Sequence, residues 1–194
     1  MVVALVLVAA LAGCGDAGDT GGAGGGIGAD DITTSGSFTA YADGAQAVTY
    51  DPALVPVGAT AEISVSTAAG RPAGGTTVAL RVTGLLHTRA YGAHLHTRPC
   101  GATAADSGPH LQHEADPAAS VSPPSVDPSY ANPANEVWLD FTTDGDGAAG
   151  SSAVLDWTFD PAPRSLVIHA QATKTAAGQA GTAGARVACL NLPE

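Results

Sequence analysis

From Ser37 onward, apolar and polar residues alternate in short runs that glycine, proline and aspartate interrupt. Side chains on a strand point to opposite faces in turn, so such runs predict half-buried β-strands. The expected strands cover residues 37–42, 47–50, 60–67, 76–85, 93–96, 136–142, 153–159, 164–170 and 185–190. No stretch holds the 3.6-residue apolar period of an amphipathic helix. Short strands separated by turn signals predict an all-β domain, an antiparallel sandwich or barrel. Asp144-Gly145-Asp146-Gly147 reads as a hairpin turn, because glycine accepts positive φ. It lacks the ligand spacing and terminal glutamate of a calcium loop.

One long segment, residues 97–135, breaks the alternation and is rich in Pro, Ala, Ser and Asp. Long structureless loops inside compact domains are usually either functional or disordered. This one starts at the His94/His96 pair, contains Cys100 and His110, and returns to a strand pattern at Glu136. It is expected to form the site.

The N-terminus follows different rules. An apolar run from Val2 to Leu11 leads into Leu11-Ala12-Gly13-Cys14. A short apolar segment closed by small residues before a cysteine predicts a secretory signal over residues 1–13, with Cys14 acylated after cleavage. No basic residue precedes the run, which departs from the usual signal pattern. The run is too short to span a bilayer, which takes about 20 residues. Residues 14–36 are nearly all Gly, Ala, Asp, Ser and Thr, with little to bury, and predict a flexible tether. The folded domain is then expected over 37–194. Together these features predict an exported lipoprotein on the outer face of the cytoplasmic membrane.

Charge narrows the partners. The chain carries 7 Lys and Arg against 18 Asp and Glu, a net charge of −11. Nucleic-acid binding needs a concentrated basic surface, so that class is excluded. Attraction to anionic lipid is absent too, which leaves the Cys14 lipid as the only expected membrane contact. The sequence carries no signal for oligomeric state. With Cys14 acylated, Cys100 and Cys189 remain to pair in an oxidising compartment, two buried free thiols being the alternative.

The candidate chemistry sits in histidines. His94 and His96 stand two apart in a strand pattern and so present two imidazoles to one side. His110 follows a Gly-Pro turn, and His169 ends the apolar run Leu166-Val167-Ile168. Four imidazoles suit copper, zinc, iron or nickel, and a near-planar set of four favours copper(II). His113 is a possible additional ligand, and His87 reads as surface. Glu136 and Asp140 share one face with Trp138, where either could orient a ligand imidazole.

These motifs resemble the copper/zinc superoxide dismutase family. Gly92-Ala93-His94-Leu95-His96 is similar to its Gly-Phe-His-Val-His, Gly108-Pro109-His110 to its Gly-Pro-His, and Val167-Ile168-His169-Ala170 to its Val-Val-His-Glu. Ala183-Gly184-Ala185-Arg186-Val187-Ala188-Cys189 is similar to its Ala-Gly-Ser-Arg-Leu-Ala-Cys. The resemblance spans about Ser37 to Leu192. It implies a Greek-key β-barrel or sandwich of about eight antiparallel strands. It also implies copper on His94, His96, His110 and His169, with a Cys100–Cys189 disulfide. Arg186 would position the superoxide anion, and His110 would carry a proton.

Two departures matter. The family's zinc subsite needs two more histidines and an aspartate after Gly-Pro-His, yet only His113 follows, and the stretch before Glu136 is Ala131-Asn132-Pro133-Ala134-Asn135. A closed structural zinc site takes four ligands, so zinc is not expected. The stretch between His169 and Arg186 is short, with Lys174 as its only charge. Both departures resemble the copper-only branch of the family. The implied function is copper-dependent disproportionation of superoxide, with a non-catalytic extracytoplasmic copper-buffering lipoprotein as the alternative.

Overall fold

The computed structural model describes residues 31–67, 75–120 and 124–193. The expected signal segment, Cys14 and most of the expected tether lie outside the described residues. Among the described residues no helix is long and apolar enough to cross a membrane.

Among the described residues nine strands form two antiparallel sheets, and the architecture is a β-sandwich. The first sheet has the order β1–β3–β4–β7, from Ile32–Ser37, Thr60–Thr67, Thr76–Thr83 and Ala149–Leu155. The second has the order β2–β9–β8–β5–β6, from Ala47–Thr49, Arg186–Asn191, Ser165–His169, Ala90–His96 and Phe141–Thr142. The chain therefore changes sheet after β1, β2, β4, β6 and β7. Between the sheets lie Ile63, Val78, Leu80, Tyr91, Leu95, Leu139, Leu166 and Ile168, all essentially buried. Truncating one such leucine to alanine costs about 2–5 kcal/mol, so this layer carries much of the stability.

The two sheets differ in what they cover. β3 and β4 alternate buried with exposed positions, which is the sequence signature of one wet face. β5 is buried from Tyr91 to His96, and every residue of β8 is buried. Tyr91, Ala93 and Leu95 face the core, while Gly92, His94 and His96 face the other side, under loops. This is why Leu166-Val167-Ile168 reads as an unbroken apolar run.

The domain starts earlier than its composition suggests. Ile32–Ser37, expected to belong mostly to the tether, is strand β1, paired with β3 from Ile32↔Val65 to Ser37↔Thr60. The expected strand over 37–42 is thereby corrected to one ending at Ser37. An edge strand gains its stability from one ladder and needs little apolar surface, so Gly and Thr content does not exclude it. Gly36 is required there, since a Cβ would lie 2.8 Å from Ala47 Cβ.

The 97–135 segment holds only a short 3-10 helix, Ala104–Ser107, and isolated bridges His96↔His110 and Gln112↔Glu136 among its described residues. The Cys100–Cys189 disulfide ties it to β9, with Cα atoms 5.7 Å apart.

Candidate metal centre

The strand ladder brings the histidines together. In the β5–β8 register Gly92 opposes His169, and His94 opposes Val167, so His94, His96 and His169 share the face turned away from the core. The His96↔His110 bridge adds the fourth ring. One ligand atom from each of His94, His96, His110 and His169 lies within 4.8 Å of the others. The ring centroids of His94 and His110 are 4.2 Å apart, and those of His94 and His169 are 4.8 Å apart.

Each imidazole has one nitrogen held from outside. His96 Nδ1 lies 2.9 Å from the Gly108 carbonyl and His169 Nδ1 lies 3.5 Å from that of Gly184. His94 Nε2 lies 2.7 Å from Thr173 Oγ1, and His110 Nδ1 lies 2.8 Å from Glu136 Oε2. A carbonyl only accepts, so His96 and His169 donate there and keep the lone pair on the other nitrogen, and His110 donates likewise to the Glu136 carboxylate. Those other nitrogens, His94 Nδ1, His96 Nε2 and His169 Nε2, are buried without any hydrogen-bond partner. An unsatisfied buried polar atom costs about 1–3 kcal/mol, so three converging on one point describe a site that fits a metal ion. With Nδ1 held by Glu136, Nε2 is the nitrogen His110 can offer.

The electrostatics suit a ligand set. Burial, with the neighbouring His110 and His169 adding to it, holds His94 well below the usual imidazole range of about 6.5. Burial and His110 do the same for His96. Burial, again reinforced by His110, pushes His169 down to about 3. The three rings are neutral at neutral pH, the form that binds metal.

Glu136 is the hub of the outer ring of contacts. It is 2% exposed, and its carboxylate accepts hydrogen bonds from His110, from Trp138 Nε1 at 2.7 Å and from Gln112 Nε2 at 2.8 Å. Three donors offset the cost of burying that charge. Asp140 holds Thr173, which in turn holds His94. Both acidic residues thus act on an imidazole of the cluster, Glu136 directly and Asp140 through Thr173.

Arg186 borders the site. Its Nη1 donates to the Ala104 carbonyl at 3.2 Å and to Ser107 Oγ at 3.0 Å. It is half-buried, and burial followed by the nearby Arg98 lowers its pKa from the usual guanidinium value. A cleft of about 160 Å³ is lined by His110, His169, Ser125, Arg186 and residues 181–184.

His113 does not join the cluster, which corrects its place as a possible ligand. Its ring stacks on Trp157 at 4.8 Å, with the planes 16° apart. The physical reason is alternation: Gln112 shares the side of His110 and bonds Glu136, whereas His113, three residues on from His110, falls on the opposite side. His87 and Lys174 are exposed. Thr173 and Gln112 have no sequence signal of their own, whereas Gly108 and Gly184, whose carbonyls hold His96 and His169, stand in the Gly-Pro-His motif and in the motif that carries Arg186.

A search of protein-family models and of curated proteins finds no match to this chain.

Proposed function

We propose that the protein is a copper-dependent superoxide dismutase acting outside the cytoplasmic membrane, tethered there by a lipid on Cys14. The observation that carries the reading is the cluster of three unpartnered, neutral ring nitrogens with His110, two of whose rings, His110 and His169, line a cleft together with Arg186. His94, His96, His110 and His169 would hold the ion, and an all-imidazole set suits copper. Copper supplies the one-electron couple by which one superoxide is oxidised to dioxygen and a second, with two protons, is reduced to hydrogen peroxide.

The chain's own residues supply the rest. Arg186 presents a guanidinium to an anion entering the cleft, while its Nη1 contacts with Ala104 and Ser107 hold the group in place. Glu136 keeps the His110 ring oriented through Nδ1, so Nε2 can take up or release a proton without the ring swinging away. The loops that cover His94 and His96 exclude water from that side of the site.

Metal analysis joined to a superoxide assay tests the proposal. Exported protein reconstituted with both metals is expected to hold about one copper and to dismute superoxide above the rate of free copper. A full equivalent of zinc beside copper removes the copper-only reading. Copper without activity leaves the buffering lipoprotein.

A further inference from the structure

We propose that Thr173 is the positioning residue that decides which nitrogen His94 turns to the metal, and that docking of the 171–184 segment on Gly92 puts it there. The inference rests on the four-histidine metal centre and deepens it.

A neutral imidazole has one N–H and one lone pair, and in a buried site the partners choose between the two tautomers. His94 Nε2 lies 2.7 Å from Thr173 Oγ1. A threonine hydroxyl has a single proton, and here it goes to Asp140 Oδ1 at 2.7 Å. Thr173 Oγ1 therefore accepts from His94 Nε2–H, and the lone pair stays on Nδ1. Nδ1 is the His94 nitrogen that is buried without a partner. Asp140 is too far to act alone, with Oδ1 3.7 Å from Nε2. It acts by gripping Thr173 twice, accepting the backbone N–H on Oδ2 at 2.6 Å as well as the hydroxyl.

The segment reaches His94 because Gly92 leaves room. Gly92 lies two residues before His94, on the same face of β5. A Cβ there would lie 2.7 Å from Ala183 Cβ, 2.7 Å from the Gln171 carbonyl oxygen and 3.2 Å from Thr173 Oγ1. The segment is held in shape by Gln171 N–H to the Ala183 carbonyl at 2.9 Å and Lys174 N–H to the Thr182 carbonyl at 2.9 Å. It continues the β8–β9 hairpin over the imidazoles, and the missing side chain of Gly92 is its seat. The tautomer of a ligand is thus set by a segment some 80 residues away in sequence.

The test begins on metal-free protein, where nitrogen-detected NMR of the imidazoles reports the tautomer directly. Wild-type His94 is expected to carry its proton on Nε2. Thr173→Val keeps the shape but removes the hydroxyl, and should give a mixture of tautomers, while Thr173→Ser restores the wild-type signals. Gly92→Ala should give the same mixture with Thr173 intact. In copper-loaded protein, Thr173→Val should weaken copper affinity by about 10- to 100-fold and change the Cu(II) EPR spectrum, again with rescue by serine. A His94 proton on Nδ1 in the wild type, or wild-type signals in Thr173→Val, overturns the proposal. Unchanged His94 signals in a folded Gly92→Ala overturn its docking half. If wild type binds no copper, the metal reading fails, yet the NMR result still decides the role of Thr173.

Discussion

Arg186 stands directly across the β8–β9 ladder from His169. It does so because β9 carries one extra residue. Ile168 pairs with Ala188, so an unbroken ladder would set Val187 opposite His169, but the register shifts there and Arg186 takes the position. Bulges of this kind re-aim side chains beside sites. Without it the guanidinium would leave the imidazole face.

That relationship separates the two residues experimentally. His169→Ala should lose copper and dismutation together, since a ligand nitrogen is gone. Arg186→Ala should keep copper and fold but lower kcat/KM by about 10- to 100-fold, the loss of one charge-assisted hydrogen bond. The wild-type rate should fall with rising ionic strength and the variant's should depend on it less. Stopped-flow superoxide decay against salt measures both, and a full rate in Arg186→Ala ends this arginine's role.

Glu136→Ala strands three donors, His110 Nδ1, Trp138 Nε1 and Gln112 Nε2, in a buried place. The cost should be about 3 kcal/mol or more. For a domain of this size that lowers Tm by about 6–12 °C. Calorimetry of metal-free protein reads it, and an unchanged Tm contradicts the hub.

Cys100→Ser should lower stability by up to about 4.6 kcal/mol in the chain-entropy account, because the bridge closes a loop with a sequence separation of 89. Denaturant midpoints with and without reductant should agree for the variant and differ for wild type. Equal midpoints for wild type would mean the bridge adds nothing.

Acid should unfold the metal-free protein through its imidazoles. Burial, with His110 adding to it, holds His169 at about 3 and His94 and His96 well below 6.5. Below pH 6.5 the unfolded chain takes up protons that the folded one does not. Stability is therefore complete above that pH and is lost as pH falls toward 3. A Tm that stays flat from pH 7 to 4 contradicts this.

The four histidines, Arg186 and the cysteine pair were legible because each stands in a short motif on or beside a strand. Most strands were legible from alternation, and 60–67 matched β3 end to end, but the expected 136–142 is a strand only at Phe141–Thr142 and the expected 153–159 is displaced to Ala149–Leu155. β1 was hidden by composition, since Gly36 and its threonines resemble the Gly- and Ala-rich sequence before them. Thr173 and Gln112 were hidden for another reason. Their roles depend on which loop lies over which strand, and local sequence does not encode that contact. His113 misled because nearness in sequence to His110 ignores the side on which alternation places a residue.

β5 has no idle residue between Tyr91 and His96: odd positions fill the core and even ones build the site. A one-residue slip in its register would send Tyr91, Ala93 and Leu95 to the imidazole side and drive two histidines into the apolar layer. Loss of the fold and loss of the chemistry are then the same event. Insertions and deletions in this strand should be absent from any functioning variant, while the far sheet, wet on one face, is free to drift.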